Sequence, residues 1–171
     1  MNGTAMTLVR IAIDGIMMSA YFNLATGLLM AYDPVIFTTA FPKELQKAAP
    51  PNPHAMRDKG LFSLLVIVPV VLFGSLSAWM SGITGFWNLF WAGYAEWFLV
   101  NLGDFFGLDL ILREKLGGRC ELPGTHGHPC YERKNWMKAL AVPEHFLQWP
   151  LAVCPLMGLI MAGIGTLLAR I

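Results

Sequence analysis

Charge is scarce in this sequence. Only 13% of its 171 residues are Asp, Glu, Lys or Arg, and 56% are hydrophobic. Soluble domains carry about twice that charge, so the shortage argues against a soluble protein. Disorder is excluded on the same grounds, since apolar residues dominate and aromatics make up 12%. Neither sign is in excess: 12 basic residues face 11 acidic ones, for a formal net charge of +1. No basic field exists to hold nucleic acid. Also missing are a phosphate-binding loop, a nucleophile elbow, a dinucleotide fingerprint and a haem-attachment motif. The N-terminal run has no basic residue before Arg10 and no small-x-small cleavage site after it, so it reads as a mature helix and not a signal peptide.

What is present is apolar length, with a mean hydropathy of +0.53. A membrane-crossing helix needs roughly 20 mostly apolar residues. Four segments meet that need, at about 8–31, 61–80, 84–112 and 146–169. The expected fold is therefore an all-α polytopic membrane protein of one domain with four transmembrane helices, since lipid leaves no water for an unpaired backbone. Ser81 to Gly85 makes a tight turn between the second and third helices. The other connections, 32–60 and 113–145, are long loops. They hold Lys43, Lys47, Arg57, Lys59, Arg113, Lys115, Arg119, Arg133, Lys134 and Lys138, and only Arg10 and Arg170 lie on the other side. By the positive-inside rule both loops are cytoplasmic and both termini outside, in a bacterial inner membrane.

In the first loop, Pro42 opens a short helix, Glu44 suits its first turn, and Pro50 and Pro51 end it. Leu45 and Ala49 share a face expected to rest on the membrane surface. The second long loop gathers Cys120, His126, His128 and Cys130 within 11 residues. Their order, Cys-x5-His-x-His-x-Cys, permits a zinc site, a disulfide or an ordered turn with free thiols.

The third helix carries acids where acids are costly. Glu96 is the deepest, and Asn101 and Asp104 share a face at i, i+3. On a regular helix Asp109 would point elsewhere, toward Arg113 at i+4. Asp14 pairs with Arg10 in the first helix by the same spacing. The fourth helix is expected to open at Pro143, with Glu144 and His145 in its first turn. If the last two helices are antiparallel, Asp104, Asp109, Glu144 and His145, with His126 or His128, converge at the cytoplasmic face. Such oxygen and imidazole ligands suit a divalent metal (Mn, Fe or Zn) or general acid–base work. Cys154, Gly158, Ala162 and Thr166 form a small-residue stripe for close helix packing, within the chain or between chains.

Several of these pieces occur together in a known order. Phe41-Pro42-Lys43-Glu44-Leu45-Gln46 with Pro50-Pro51, then Gly103-Asp104-Phe105-Phe106-Gly107-Leu108-Asp109, Leu122-Pro123-Gly124-Thr125 and His145-Phe146 resemble a family of small, uncharacterised bacterial four-helix integral membrane proteins. The resemblance implies a topology and a set of positions, and no reaction. The family usually has an acidic residue after Pro-Gly-Thr, where this chain has His126.

Three functional readings follow. One is a membrane-embedded enzyme or metal-dependent protein that takes a lipid-like or membrane-delivered substrate at Asp104, Asp109, His126, Glu144 and His145. Another is an oligomeric transporter or channel component using Glu96, Asn101 and Asp104. The third is an accessory or scaffold subunit that meets a second copy or a membrane partner through the small-residue stripe, with Gly158 and Ala162, and through the first long loop.

Overall fold

The computed structural model describes residues 3–170 and is all-helical, with no strand among the described residues. Five helices organise it: α1 (Gly3–Tyr32), α2 (Lys43–Ala48), α3 (Ala55–Met80), α4 (86–116) and α5 (Arg133–Leu168). Three of them are long and apolar enough to cross a membrane, over Thr7–Tyr32, Ala55–Met80 and Arg133–Leu168. α4 is also long, but Glu96, Asp104, Asp109 and two asparagines lower its apolar content.

The turn between α3 and α4 forms where expected. Gly82 takes φ 72°, a conformation that side-chain-bearing residues avoid, and Asn88 Nδ2 donates to the Thr84 carbonyl at 2.8 Å. Two boundaries differ from expectation. α3 begins at Ala55, inside the expected first loop, once Pro51 and Pro53 are passed. α5 begins at Arg133, inside the expected second loop. Pro143 sits within α5 and does not open it. Its missing N–H falls between two π-helical stretches, where the i→i−4 ladder is already interrupted.

α4 is central and packs along α1 on one side and α5 on the other. Small residues set both approaches. Gly103 lies against Ser19 of α1, and a Cβ on Gly158 would stand 2.9 Å from the Phe90 carbonyl oxygen. Ala162 is fully buried. The stripe of α5 is thus consumed within this chain. Met18, Phe22, Val66, Val70, Trp97, Val100, Trp149 and Met161 fill the core between the long helices. The outer surface is apolar too: Leu24, Leu64 and Leu151 are 64%, 62% and 76% exposed.

The two long connections fold onto each other as a cap. Phe37, Phe41 and Leu45 from the first pack with Leu122, Cys130 and Trp136 from the second. The short helix after Pro42 is present, but Leu45 is fully buried in this cap and does not rest on a membrane surface. Leu122 to Thr125 is a turn closed by a backbone bond of 3.1 Å, with Tyr131 Oη accepting from the Leu122 N–H at 2.9 Å.

Candidate functional site

Both helices that carry the acidic and histidine candidates widen into the π form near the cap. α4 does so over Asp104–Leu112 and α5 over Glu144–Val153. The register shift is explicit: Arg113 N–H bonds the Leu108 carbonyl, and Cys154 N–H bonds the Trp149 carbonyl, each five residues back. In a π-helix residues five apart share a face. Asp104 and Asp109 therefore line one cavity, where regular α geometry would have turned Asp109 away.

The register of α5 also follows from its prolines. A π-bonded N–H at position 150 would take the His145 carbonyl, and one at 155 would take the Pro150 carbonyl. Both positions are proline, so both carbonyls are free. Asn101 Nδ2 caps the first at 3.0 Å, and Tyr94 Oη caps the second at 3.2 Å. Asn101 and Tyr94 are seven apart, on one face of α4.

Asn101 holds His145 twice. While Nδ2 donates to the backbone, its Oδ1 lies 2.7 Å from His145 Nδ1, so Nδ1 carries a proton. His145 Nε2 lies 2.9 Å from Asp109 Oδ2, and one proton is shared between them. Asp109 Oδ1 accepts from Trp136 Nε1 at 2.8 Å. The chain Asn101–His145–Asp109–Trp136 thus satisfies nearly every polar atom in it, and all four side chains are buried. Asp109 is not paired with Arg113. That guanidinium lies 4.7 Å over the Trp136 ring and donates to the Tyr131 carbonyl at 2.8 Å.

Three of its members, His145, Asp109 and Trp136, line a cavity of about 200 Å³. Asp104 and Glu144 line it too. Asp104 makes no side-chain hydrogen bond among the described residues, and Glu144 accepts one long bond, 3.3 Å, from Trp149 Nε1. The rest is aromatic or apolar: Phe22 and Phe37 stack edge-on against Phe62, and Trp149 lies between Trp97 and His145. Two polar groups of residues in this lining have no partner among the described residues, Thr26 Oγ1 and Trp97 Nε1, although Thr26 is 5% exposed and Trp97 fully buried. Thr26, Trp97, Trp136 and Tyr94 were not singled out by the sequence. Two prolines five apart, Pro150 and Pro155, were the available sign of a π register.

A divalent metal does not fit this wall. His145 has both nitrogens engaged by oxygen acceptors, and among the described residues no three His, Cys, Asp or Glu side chains are arranged to share an ion. His126, His128, Cys120 and Cys130 stay in the cap and do not join the cavity. His126 Nδ1 meets Glu121 Oε2 at 3.1 Å, and His128 Nδ1 accepts from the Cys130 N–H at 3.2 Å. Both thiols are free and buried, with no disulfide between them. Cys130 Sγ donates to Glu44 Oε2 at 2.9 Å, and burial, reinforced by Glu44, pushes its pKa up to about 11. Burial also raises the Cys120 thiol. Neither sits as a reactive thiolate would.

Glu96 lies apart from the cavity. It is 1% exposed, both carboxyl oxygens lack a partner among the described residues, and Oε2 faces Gly74 of α3. Asp14 pairs with Arg10 at 2.9 Å as the spacing implied, and also accepts from Ser77 Oγ at 2.6 Å. No family model matches the chain, and comparison with curated proteins and with solved structures finds no match.

Proposed function

We propose that the chain is a membrane-embedded enzyme that binds a small, lipid-like molecule in the aromatic cavity and performs general acid–base chemistry on it through Asp104. In this reading α4 is the fourth transmembrane span. The cap lies on the cytoplasmic side with both termini outside, in the orientation that the loop charges favour, and the setting is a bacterial inner membrane. The order of the loop motifs agrees with the small four-helix membrane family that the sequence resembles. Apolar side chains on the outer faces of α1, α3 and α5 supply a surface suited to lipid.

One observation carries the reading. Asp104 is the cavity carboxyl left unbonded, one π turn from an Asp109–His145 pair whose other polar atoms are held by Asn101 and Trp136. An unbonded carboxyl beside a fixed proton-sharing pair, inside an apolar cavity, is the arrangement general acid–base chemistry uses. Asn101 and Trp136 act as positioning residues, because they bond the pair and not a ligand. The small-residue stripe supports no scaffold role, since Gly158 and Ala162 pack against α4 of the same chain.

The test is proton exchange. Protein in nanodiscs of bacterial polar lipid is incubated in deuterated water, and the recovered lipids are analysed by mass spectrometry. Wild type should place deuterium in, or convert, one lipid class, and Asp104→Asn should reduce the rate about 100-fold or more while leaving the fold intact. No labelled or converted lipid in the wild type, or an unchanged rate in Asp104→Asn, would overturn the proposal.

A further inference from the structure

The cavity wall has a one-sided charge inventory. Its ionisable lining residues are Asp104, Asp109, Glu144 and His145, with no Lys or Arg. Asp109 and His145 are bonded to each other. That leaves Asp104 and Glu144 as the carboxyl groups that a ligand would meet. An anionic headgroup, such as a phosphate or a carboxylate, would be repelled by them and would find no cation.

The remaining walls are rings. Phe22, Phe37, Phe62, Trp97, Trp136 and Trp149 surround the space, and ring-to-ring contacts of 5.2–6.3 Å tie the first four and Trp149 into one continuous lining. An aromatic face is negative, and several faces with a nearby carboxylate are the standard means of holding an organic ammonium group away from water. Thr26 adds an independent sign of a ligand. Thr26 lines the cavity and is more than nine-tenths buried, and its hydroxyl has no partner among the described residues. The volume, about 200 Å³, exceeds the engineered cavity of about 150 Å³ that holds benzene, so it admits one compact headgroup and not a two-chain lipid.

We infer that the cavity selects an amphiphile with an organic ammonium headgroup, held by the aromatic faces and by Asp104. The inference rests on the reading of this cavity as a ligand site. The headgroup occupies the cavity, and its apolar chain remains outside. Asp104 then supplies the counter-charge as well as the proton acceptor, with Glu144 as a second, weaker counter-charge because Trp149 already bonds it.

Benzyltrimethylammonium and its uncharged carbon isostere, neopentylbenzene, separate charge recognition from size and greasiness. Binding of each to the full chain in detergent is followed by calorimetry and by tryptophan fluorescence. The cation should bind at least about tenfold more tightly than the isostere. Asp104→Asn should erase most of that preference, and Phe62→Leu should weaken the cation by about threefold to tenfold while sparing the isostere. Equal binding of the two probes would overturn the inference, as would a preference that survives both substitutions. Calorimetry needs no turnover, so the two proposals can fail separately. A cation preference without deuterium exchange removes the acid–base role alone, and exchange without a preference removes the ammonium ligand alone.

Discussion

At the end of the bundle closed by the Ser81–Gly85 turn, Arg10, Asp14 and Ser77 pin α1 to α3, and Arg10 is 49% exposed. At the capped end, Asn101, His145, Asp109 and Trp136 form a longer chain of bonds, and every member is buried. The first network sits on regular α-helix, and the second sits where two facing helices both adopt the π form. The difference lies in what each end can do when a partner is lost. A half-exposed arginine can turn to water, whereas a buried histidine and indole N–H cannot. The turn end is built to hold helices together. The capped end holds polar groups in fixed positions around a space.

Removing one acid from each end tests that contrast. Asp109→Leu strands the Trp136 N–H and His145 in the interior, and should cost about 3–5 kcal/mol. Asp14→Leu leaves Arg10 free to reach water and should cost about 1–2 kcal/mol. Unfolding in detergent, followed by circular dichroism, compares them, and equal losses would show that the two ends are not built differently. The next largest effect belongs to the α4–α5 crossing that positions the cavity. Gly158→Ala sets a methyl 2.9 Å from the Phe90 carbonyl oxygen and should destabilise by about 1–3 kcal/mol. Gly163→Ala, with nothing within 4 Å, should be neutral or stabilising by up to about 1 kcal/mol. A costly Gly163 change or a harmless Gly158 change would mean that the stripe does not set the helix spacing.

The contrast also explains what could be read from the sequence. The Arg10–Asp14 pair, the Ser81–Gly85 turn and the helix after Pro42 depend on local spacing, and each forms as expected. The meeting of Asp104, Asp109, Glu144 and His145 was legible as a convergence at one end of antiparallel helices. Its geometry was not, because i, i+3 and i, i+4 counting assumes 3.6 residues per turn, and these residues lie on π-helix. The early start of α5 was hidden by Pro143, which resembles a helix opening when the stretch before it is taken for a loop. Thr26 and Trp136 escaped notice because neither residue type marks a site without knowing what it faces. The cap was missed because Leu45 meets Leu122 and Trp136 only across two distant connections.

The π register makes a smaller prediction of its own. Tyr94→Phe uncovers the Pro150 carbonyl inside the bundle and should cost about 1 kcal/mol. Tyr21→Phe, at the Leu65 carbonyl that Pro69 leaves free four residues on, should cost less, because Tyr21 is 44% exposed. Equal losses would mean that burial of the cap is not what distinguishes the two tyrosines.

The remaining effect lies in the cap and appears only as a pH dependence. Folding raises the Cys130 thiol from its ordinary value of 9.0 to about 11, through burial and the bond to Glu44. The folded state therefore favours the neutral thiol. Its contribution to stability is complete below about pH 9 and declines as pH climbs toward 11, because the unfolded chain ionises first. The unfolding temperature of the wild type should fall across that window. Cys130→Ser keeps a donor for Glu44 but has no group that titrates there, so its decline should be shallower by the share of one proton. Cys120, also raised by burial, leaves some slope in both proteins. Identical slopes for wild type and Cys130→Ser would place Cys130 outside the packed cap, and the closed end of the bundle would then be looser than the Glu44–Cys130 contact implies.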